Sequence, residues 1–363
     1  MKWLYLLLRL LVGLLFIFSG LIKANDPQGL SYKIQEFLEV GELHFLDSYT
    51  LPIAIILNTA EIGLGTALLL NFRVKATQFL VLLLLLFFTA LTGYTYFTGY
   101  PKNCGCFGDC IPLTPGQSFY KDIVLLIMLS FLLCFPKANK VATNFRYAGF
   151  NCLLSILIAG GLQVYTLNHL PQIDCLPYKV GTDLIENRKI PATAIPDSTV
   201  IYFTYKKNNQ LIQFPATSFP ADFSPQTYQF VRREDKLIRP GKDMDPPIKG
   251  FVLSGETGID STDYILQLPA VLLVIVDNKT NLEKSFESLD LLRHTKTDYN
   301  RIPVYVITAQ PTAVRKLLSS TKFNGWPVYS CDLKAIQTAA RTNPTIYYLE
   351  KGVVIRKKAA VDY

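Results

Sequence analysis

Three cysteines fall within seven residues in the stretch Asn103-Cys104-Gly105-Cys106-Phe107-Gly108-Asp109-Cys110, and a fourth, Cys175, follows after two more apolar segments. Gly105 and Gly108 let the backbone bend tightly between the sulfurs. Thiols this close suit thiol–disulfide exchange, soft-metal ligation or a structural disulfide with a spare thiol. A Cys-x-Cys disulfide closes a small, strained ring and is readily reduced. Cys110 could then act as resolving or partnering thiol, through Cys106–Cys110 or Cys110–Cys175 closure. Three thiolates would also suit copper(I) or zinc. A fourth ligand is missing, however, and the chain's three histidines offer little help, so no metal ligand set is assigned. The other chemically loaded residue is Glu61, a carboxylate in the middle of an apolar run with Asn58 one helical turn before it. Such a group is a candidate intramembrane acid or base. Alternatively, it is a protonated side chain that glues two helices together.

The elements that position these residues are apolar segments. Half of the 363 residues are hydrophobic, and they concentrate before residue 170. Residues 3–22, 51–70, 74–98, 120–135 and 147–167 read as five membrane spans. A signal peptide is the competing reading of the first. Arg9 interrupts its core, and no small-x-small cleavage site follows. Arg9 and Lys23, near the two ends of that span, are expected to snorkel to the surfaces. Cys134 and Cys152 lie within spans and read as small hydrophobes.

Loop charges set an orientation. The 71–75 connection carries Arg73 and Lys75, and the 136–146 connection carries Lys137, Lys140 and Arg146, neither with an acid. The 23–50 connection is mixed, with Asp26, Glu36, Glu39, Glu42 and Asp47. By the positive-inside rule the N-terminus is cytoplasmic. The cysteine loop and everything after residue 168 then face outward, where disulfides persist. The expected location is the inner membrane of a bacterium, multi-pass, with the C-terminal part periplasmic. The net charge of +8 is dispersed, without the aromatic-interleaved basic patch of a nucleic-acid binder.

The run Gly13-Leu-Leu-Phe-Ile-Phe-Ser-Gly-Leu-Ile-Lys23 and the later Ala60-Glu61-Ile-Gly-Leu-Gly65 resemble the DoxX superfamily of membrane proteins. The Cys104-Gly-Cys-Phe-Gly108 element is similar to its MauE branch, named for methylamine utilisation. The resemblance covers about the first 135 residues. It implies a four-helix bundle that assists disulfide formation or maturation of an exported protein beside a thioredoxin-like partner. The fifth span departs from it and reads as a tether.

Composition changes after His169-Leu-Pro171. Four prolines over 171–199 disfavour long helices. Thr199–Tyr205 and Gln226–Val231 read as strands, with a hairpin turn at Lys206-Lys-Asn-Asn209. Beyond Asp245-Pro246-Pro247, Phe251–Leu253 is expected to be a first strand. The apolar run Val271–Val276 is a central strand buried on both faces. A polar helix is expected around 280–295, then a strand over Arg301–Ile307, a helix over 311–320, and a terminal hairpin from Asn343-Pro344-Thr345 onward. This part resembles a TlpA-like thioredoxin-fold domain. The resemblance implies a cis peptide at Pro344, a minority state elsewhere, and a peptide-binding groove at Pro344 and Thr345. After the central strand, where a thioredoxin carries Cys-x-x-Cys, the chain reads Asp277-Asn-Lys-Thr-Asn-Leu-Glu283. The dithiol that drives exchange is absent there. Cys331, the domain's one cysteine, reads as a core residue. His169 and His294 have no partners at ligand spacing.

The expected architecture is a multi-domain chain in four parts. These are a four-helix transmembrane bundle over 1–136, a tethering fifth helix over 137–168, a β-rich region over 169–246 and an α/β thioredoxin-like domain over 247–363. Three functions follow. In one, Cys104, Cys106 and Cys110 exchange disulfides with an exported protein or a thioredoxin-like redox partner, Cys175 being a candidate disulfide partner. A quinone or a second thiol protein then takes the electrons. In another, the chain is a non-catalytic scaffold or peptide-binding module with structural disulfides. The last is soft-metal handling or transport. A transporter would use Glu61 for protons, but the chain lacks the inverted repeat usual for one. Whether the chain is an enzyme at all turns on whether a loop cysteine turns over.

Overall fold

The computed structural model describes residues 2–101, 105–135, 144–239, 241–242, 244–277, 286 and 302–362. Two compact units form. One joins Met1–Thr182 to Gly250–Tyr363, and the other is the intervening Asp183–Lys249.

Among the described residues, five helices are long and apolar enough to cross a membrane. They are α1 (Lys2–Asn25), α3 (Thr50–Leu69, preceded by a 3-10 turn at His44–Tyr49), α4 (Val74–Thr98), α5 (Pro115–Cys134) and α6 (Phe145–Asn168). At about 1.5 Å per residue, the 24 residues of α1 exceed the bilayer's hydrocarbon thickness. Glycines let α1 and α3 approach closely. A Cβ on Gly65 would lie 2.8 Å from the Gly13 carbonyl oxygen. Local signals fix the ends. Thr114 and Gln117 form a reciprocal capping box with Pro115 in the first turn, so α5 starts five residues before its apolar run. Between α1 and α3 lies α2 (Pro27–Val40), an amphipathic helix inside the segment expected to be a plain connection; Asp26 caps it and accepts from the Gly29 N–H at 2.9 Å.

Two expectations for the bundle are corrected. The helix α6 is no mere tether. Its Gln163, fully buried, accepts from Asn58 Nδ2 at 3.1 Å and donates to Thr59 Oγ1 at 3.0 Å, which fastens α6 to α3. Arg9 and Lys23 do not snorkel. They are 4% and 2% exposed, because each lies on the face of α1 that packs into the bundle.

In the same unit, a five-stranded sheet runs in the order β6-β5-β4-β7-β8. Its strands are β4 (Val271–Val276), β5 (Val304–Thr308), β6 (Val328–Ser330), β7 (Thr345–Glu350) and β8 (Val353–Ala359). The strands β4, β5 and β6 are mutually parallel, while β7 and β8 run antiparallel to their neighbours. Every side chain of β4 is buried, as expected of a strand covered on both faces. Phe251–Leu253 is not a strand. The Leu253 N–H bonds to Thr262 Oγ1 at 2.8 Å instead of joining a ladder, and isolated bridges form at Ser254. Among the described residues, short helices accompany the sheet: α8 (Thr262–Leu266), α9 (Pro311–Ser319) and α10 (Leu333–Ala339). The helix expected around 280–295 and His294 lie outside the described residues, apart from Phe286 in the core.

The second unit holds a short helix α7 (Leu184–Asn187) and an antiparallel sheet in the order β2-β1-β3, with β1 at Ser198–Lys207, β2 at Gln210–Pro215 and β3 at Gln229–Arg239. The β1–β2 hairpin turns at Asn208 and Asn209, both left-handed (φ 48° and 66°), as a two-residue type I′ turn requires.

Candidate functional site

The cysteine loop joins α4 to α5 and is held down from three sides. Gly105 (φ 68°) and Gly108 (φ 56°) are left-handed, and the Gly108 N–H closes a turn onto the Gly105 carbonyl at 3.0 Å. From α1, Ser19 Oγ donates to the Cys106 carbonyl at 3.1 Å. Phe107 packs against Phe18, and Lys121 of α5 stands 4.7 Å above its ring. Cys106 and Phe107 are consequently buried. At the far end of the loop, Cys110 is disulfide-bonded to Cys175, with Cα atoms 4.9 Å apart. Cys110 is therefore paired with the segment after α6 and not with Cys106. Cys104 lies outside the described residues.

Beneath the loop sits a buried set of charges. Lys23 of α1 forms an ion pair with Glu61 of α3, and the side chains are 2% and 3% exposed. The Lys23 ammonium also lies 4.6 Å from the Phe88 ring centroid. Lys121 pairs with Asp122 at 2.9 Å, and Asp122 Oδ2 accepts from Thr92 Oγ1 at 2.9 Å. The second oxygen of Glu61, Oε2, is buried and has no hydrogen-bond partner among the described residues. Glu61 lines a small cavity of about 30 Å³ together with Ser19, Phe107, Lys121 and Asp122.

Above the loop, the five-stranded sheet is seated on the bundle through charged contacts. Arg341, which is 4% exposed, donates from Nε to Asp26 at 2.7 Å and from Nη2 to Asp109 at 3.0 Å. Burial pulls the Arg341 pKa down, but the two carboxylates outweigh it and the net shift is upward. Tyr32 of α2 lies 5.6 Å from the same guanidinium and donates to Asp277 at 3.4 Å. Burial pushes the Tyr32 hydroxyl well up, and the neighbouring Asp277 charge adds to this. The Asp277 N–H in turn bonds to Asn343 Oδ1 at 3.1 Å, which ties the end of β4 to the turn before β7. Beside the disulfide, Lys357 of β8 reaches Asp174 at 2.8 Å. Burial lowers the Lys357 pKa, with Asp174 opposing.

The Asn343–Pro344 peptide is cis. Thr345 is fully buried, and its hydroxyl bonds to the Thr342 carbonyl at 2.9 Å, so it serves its own turn. Cys331 is buried with its sulfur 3.7 Å from the Gly250 carbonyl. His169 does have a partner: it meets Asp362 at the chain's end and stacks on Tyr165. The loop cysteines, Glu61 and Pro344 stand out in the sequence; Lys121, Asp122, Asp109 and Arg341 come beside them only in the fold. Only Lys121-Asp122 carried a local signal, an adjacent charge pair inside an apolar helix.

Residues 1–135 match the family described as Methylamine utilisation protein MauE, and residues 199–240 match a domain of unknown function, DUF8463. Protein TlpB of Flavobacterium psychrophilum is similar, with 29% identity over 155 residues. That match covers 42% of this chain and 42% of the relative's length. No solved structure matches the chain.

Proposed function

We propose that this chain works in thiol–disulfide redox chemistry or maturation of exported proteins, as a membrane protein whose loop Cys104-Gly-Cys-Phe-Gly-Asp-Cys110 does the exchange. The observation that carries the reading is the division of the loop. Cys110 is committed to Cys175, so Cys104 and Cys106 make up the exchanging pair. A thiolate of the exported partner attacks the Cys104–Cys106 disulfide and forms a mixed disulfide. The partner's second thiol resolves it and leaves as an oxidised protein. The loop keeps the two electrons as a dithiol. A quinone, becoming quinol, or the disulfide of a second thiol protein then takes both electrons and the two protons.

The same reading puts the chain in the inner membrane with its N-terminus inside, supported by the basic 71–75 and 136–146 connections. It takes the C-terminal part as a thioredoxin-like domain without a dithiol. Supporting this are the parallel β4–β5 pair, the antiparallel β7–β8 hairpin and the Asp277–Asn343 link beside Pro344. Pro344 and Thr345 then mark the groove edge, and Arg341 holds that edge over the loop.

A second reading, a non-catalytic scaffold, is favoured by two observations. The segment after β4 has no cysteine, and Arg341 holds the domain against the bundle. Thiol trapping in intact membranes separates the two. Alkylation with a mass tag before and after mild reduction, read at Cys104, Cys106, Cys110 and Cys175, should find the first two in mixed oxidation states. Mixed disulfides with a second protein should also be trapped. A single oxidation state at all four, with no adducts, leaves the scaffold.

A further inference from the structure

The buried charges beneath the loop have no part in the exchange described so far. Around the loop, most are already matched. Lys23 is paired with Glu61, Lys33 with Glu36 at 3.1 Å beside Gly105, and Asp26 and Asp109 with Arg341. Lys121 differs. Its ammonium caps the Phe107 ring next in sequence to Cys106, touches Asp122, and has Cys106 and Glu61 among its electrostatic neighbours. It also lines a cavity together with Glu61, whose Oε2 has no hydrogen-bond partner among the described residues. At about 30 Å³ that cavity has room for a water, which needs two to four polar partners. Ser19, Glu61, Lys121 and Asp122 supply them.

We infer that Lys121 is a positioning residue for the loop's thiol chemistry: its ammonium holds Cys106 as thiolate, and a water in the cavity links it to Glu61 Oε2. This rests on the proposed exchange for its purpose, but the arrangement itself is independent of turnover. A cation beside a thiol favours the thiolate. A low-dielectric surrounding strengthens the attraction. The carboxylate of Glu61, reached through water, keeps the ammonium charged and directed at the loop. The reaction is acid–base only: the Cys106 S–H bond breaks, its proton passes to solvent, and Lys121 keeps its own.

The test uses the full chain in detergent after reduction, with iodoacetamide alkylation of Cys106 followed by peptide mass spectrometry across a pH series. Wild type should alkylate with a midpoint below the ordinary thiol value of about 8.5. Lys121→Met should raise the midpoint by about one pH unit or more, roughly a tenfold loss of rate near neutrality. Lys121→Arg should restore most of it. The double variant Lys23→Met with Glu61→Gln removes both partners of the buried pair and should raise the midpoint part of the way. Retention of the Cys110–Cys175 disulfide before reduction shows that each variant has folded. An unchanged midpoint in Lys121→Met overturns the role of Lys121. A fall or no change in the double variant overturns the water link. Thiol trapping without turnover, together with a shifted midpoint, would remove the exchange reading and leave this one standing.

Discussion

Arg341, three residues before Pro344, donates to Asp109, the residue immediately before the disulfide-bonded Cys110. One side chain thus connects the turn ahead of β7 with the cysteine loop of the bundle, 232 residues apart in sequence.

Removing that side chain should loosen the sheet from the loop. Arg341→Met leaves Asp26 and Asp109 without their cation. Losing one member of a buried pair costs about 3–5 kcal/mol; with Asp109 partly exposed the expected loss is about 2–3 kcal/mol. Limited proteolysis should cut Arg341→Met faster than wild type. Equal cutting rates would show that the clamp contributes little.

The disulfide closes a loop of 65 residues. Chain entropy gives an upper limit of about 4 kcal/mol for such a loop, and the spans within it reduce the real figure. The paired variant Cys110→Ser with Cys175→Ser should therefore melt earlier than wild type under oxidising conditions. Under strong reduction the two should converge, and a gap that persists would point to lost packing instead.

The Lys23–Glu61 pair makes a prediction about non-additivity. Lys23→Met alone or Glu61→Gln alone strands a buried charge and should cost about 3–5 kcal/mol. The two together should cost less than either alone. A double-variant cycle on detergent melting temperatures measures this; strictly additive losses would mean that the two residues do not interact.

Burial holds the Asp277 carboxyl above its ordinary value, with the Tyr32 hydrogen bond opposing. Between the unfolded and the raised folded value, the folded chain keeps a proton that the unfolded chain has released. Stability is then full below the ordinary carboxylate value of about 3.9 and falls as pH rises through the folded one. Asp277→Asn should raise the melting temperature at neutral pH, and the gain should vanish in acid. A gain that is equal at both pH values would assign the effect to packing alone.

These features differed in how far they could be read from the chain. The spans were legible because lipid demands long apolar runs, and β4 because a strand covered on both faces needs apolar residues on each. Gly105 and Gly108 announced a tight loop. The start of α5 was written in Thr114 and Gln117 but lay outside the apolar run. By contrast, Lys23 has the sequence position of an interfacial anchor, and only its pairing with Glu61 of α3 accounts for its burial. Arg341 sits in a polar turn with no local pattern, and only the tertiary arrangement gives it Asp26 and Asp109. Phe251–Leu253 has strand composition, yet Thr262 takes a backbone N–H that a ladder would need.

The Asp183–Lys249 unit ties its own two ends together: the Ile248 N–H bonds to the Asn187 carbonyl at 2.9 Å, and Ile195 and Lys242 exchange backbone hydrogen bonds at 2.8 Å. Its entry and exit segments lie side by side, as in a cassette spliced into a host gene. A module with such paired ends can be gained, lost or exchanged during evolution without re-routing the polypeptide on either side. For the engineer, the same spot should accept a reporter domain whose termini also lie close together.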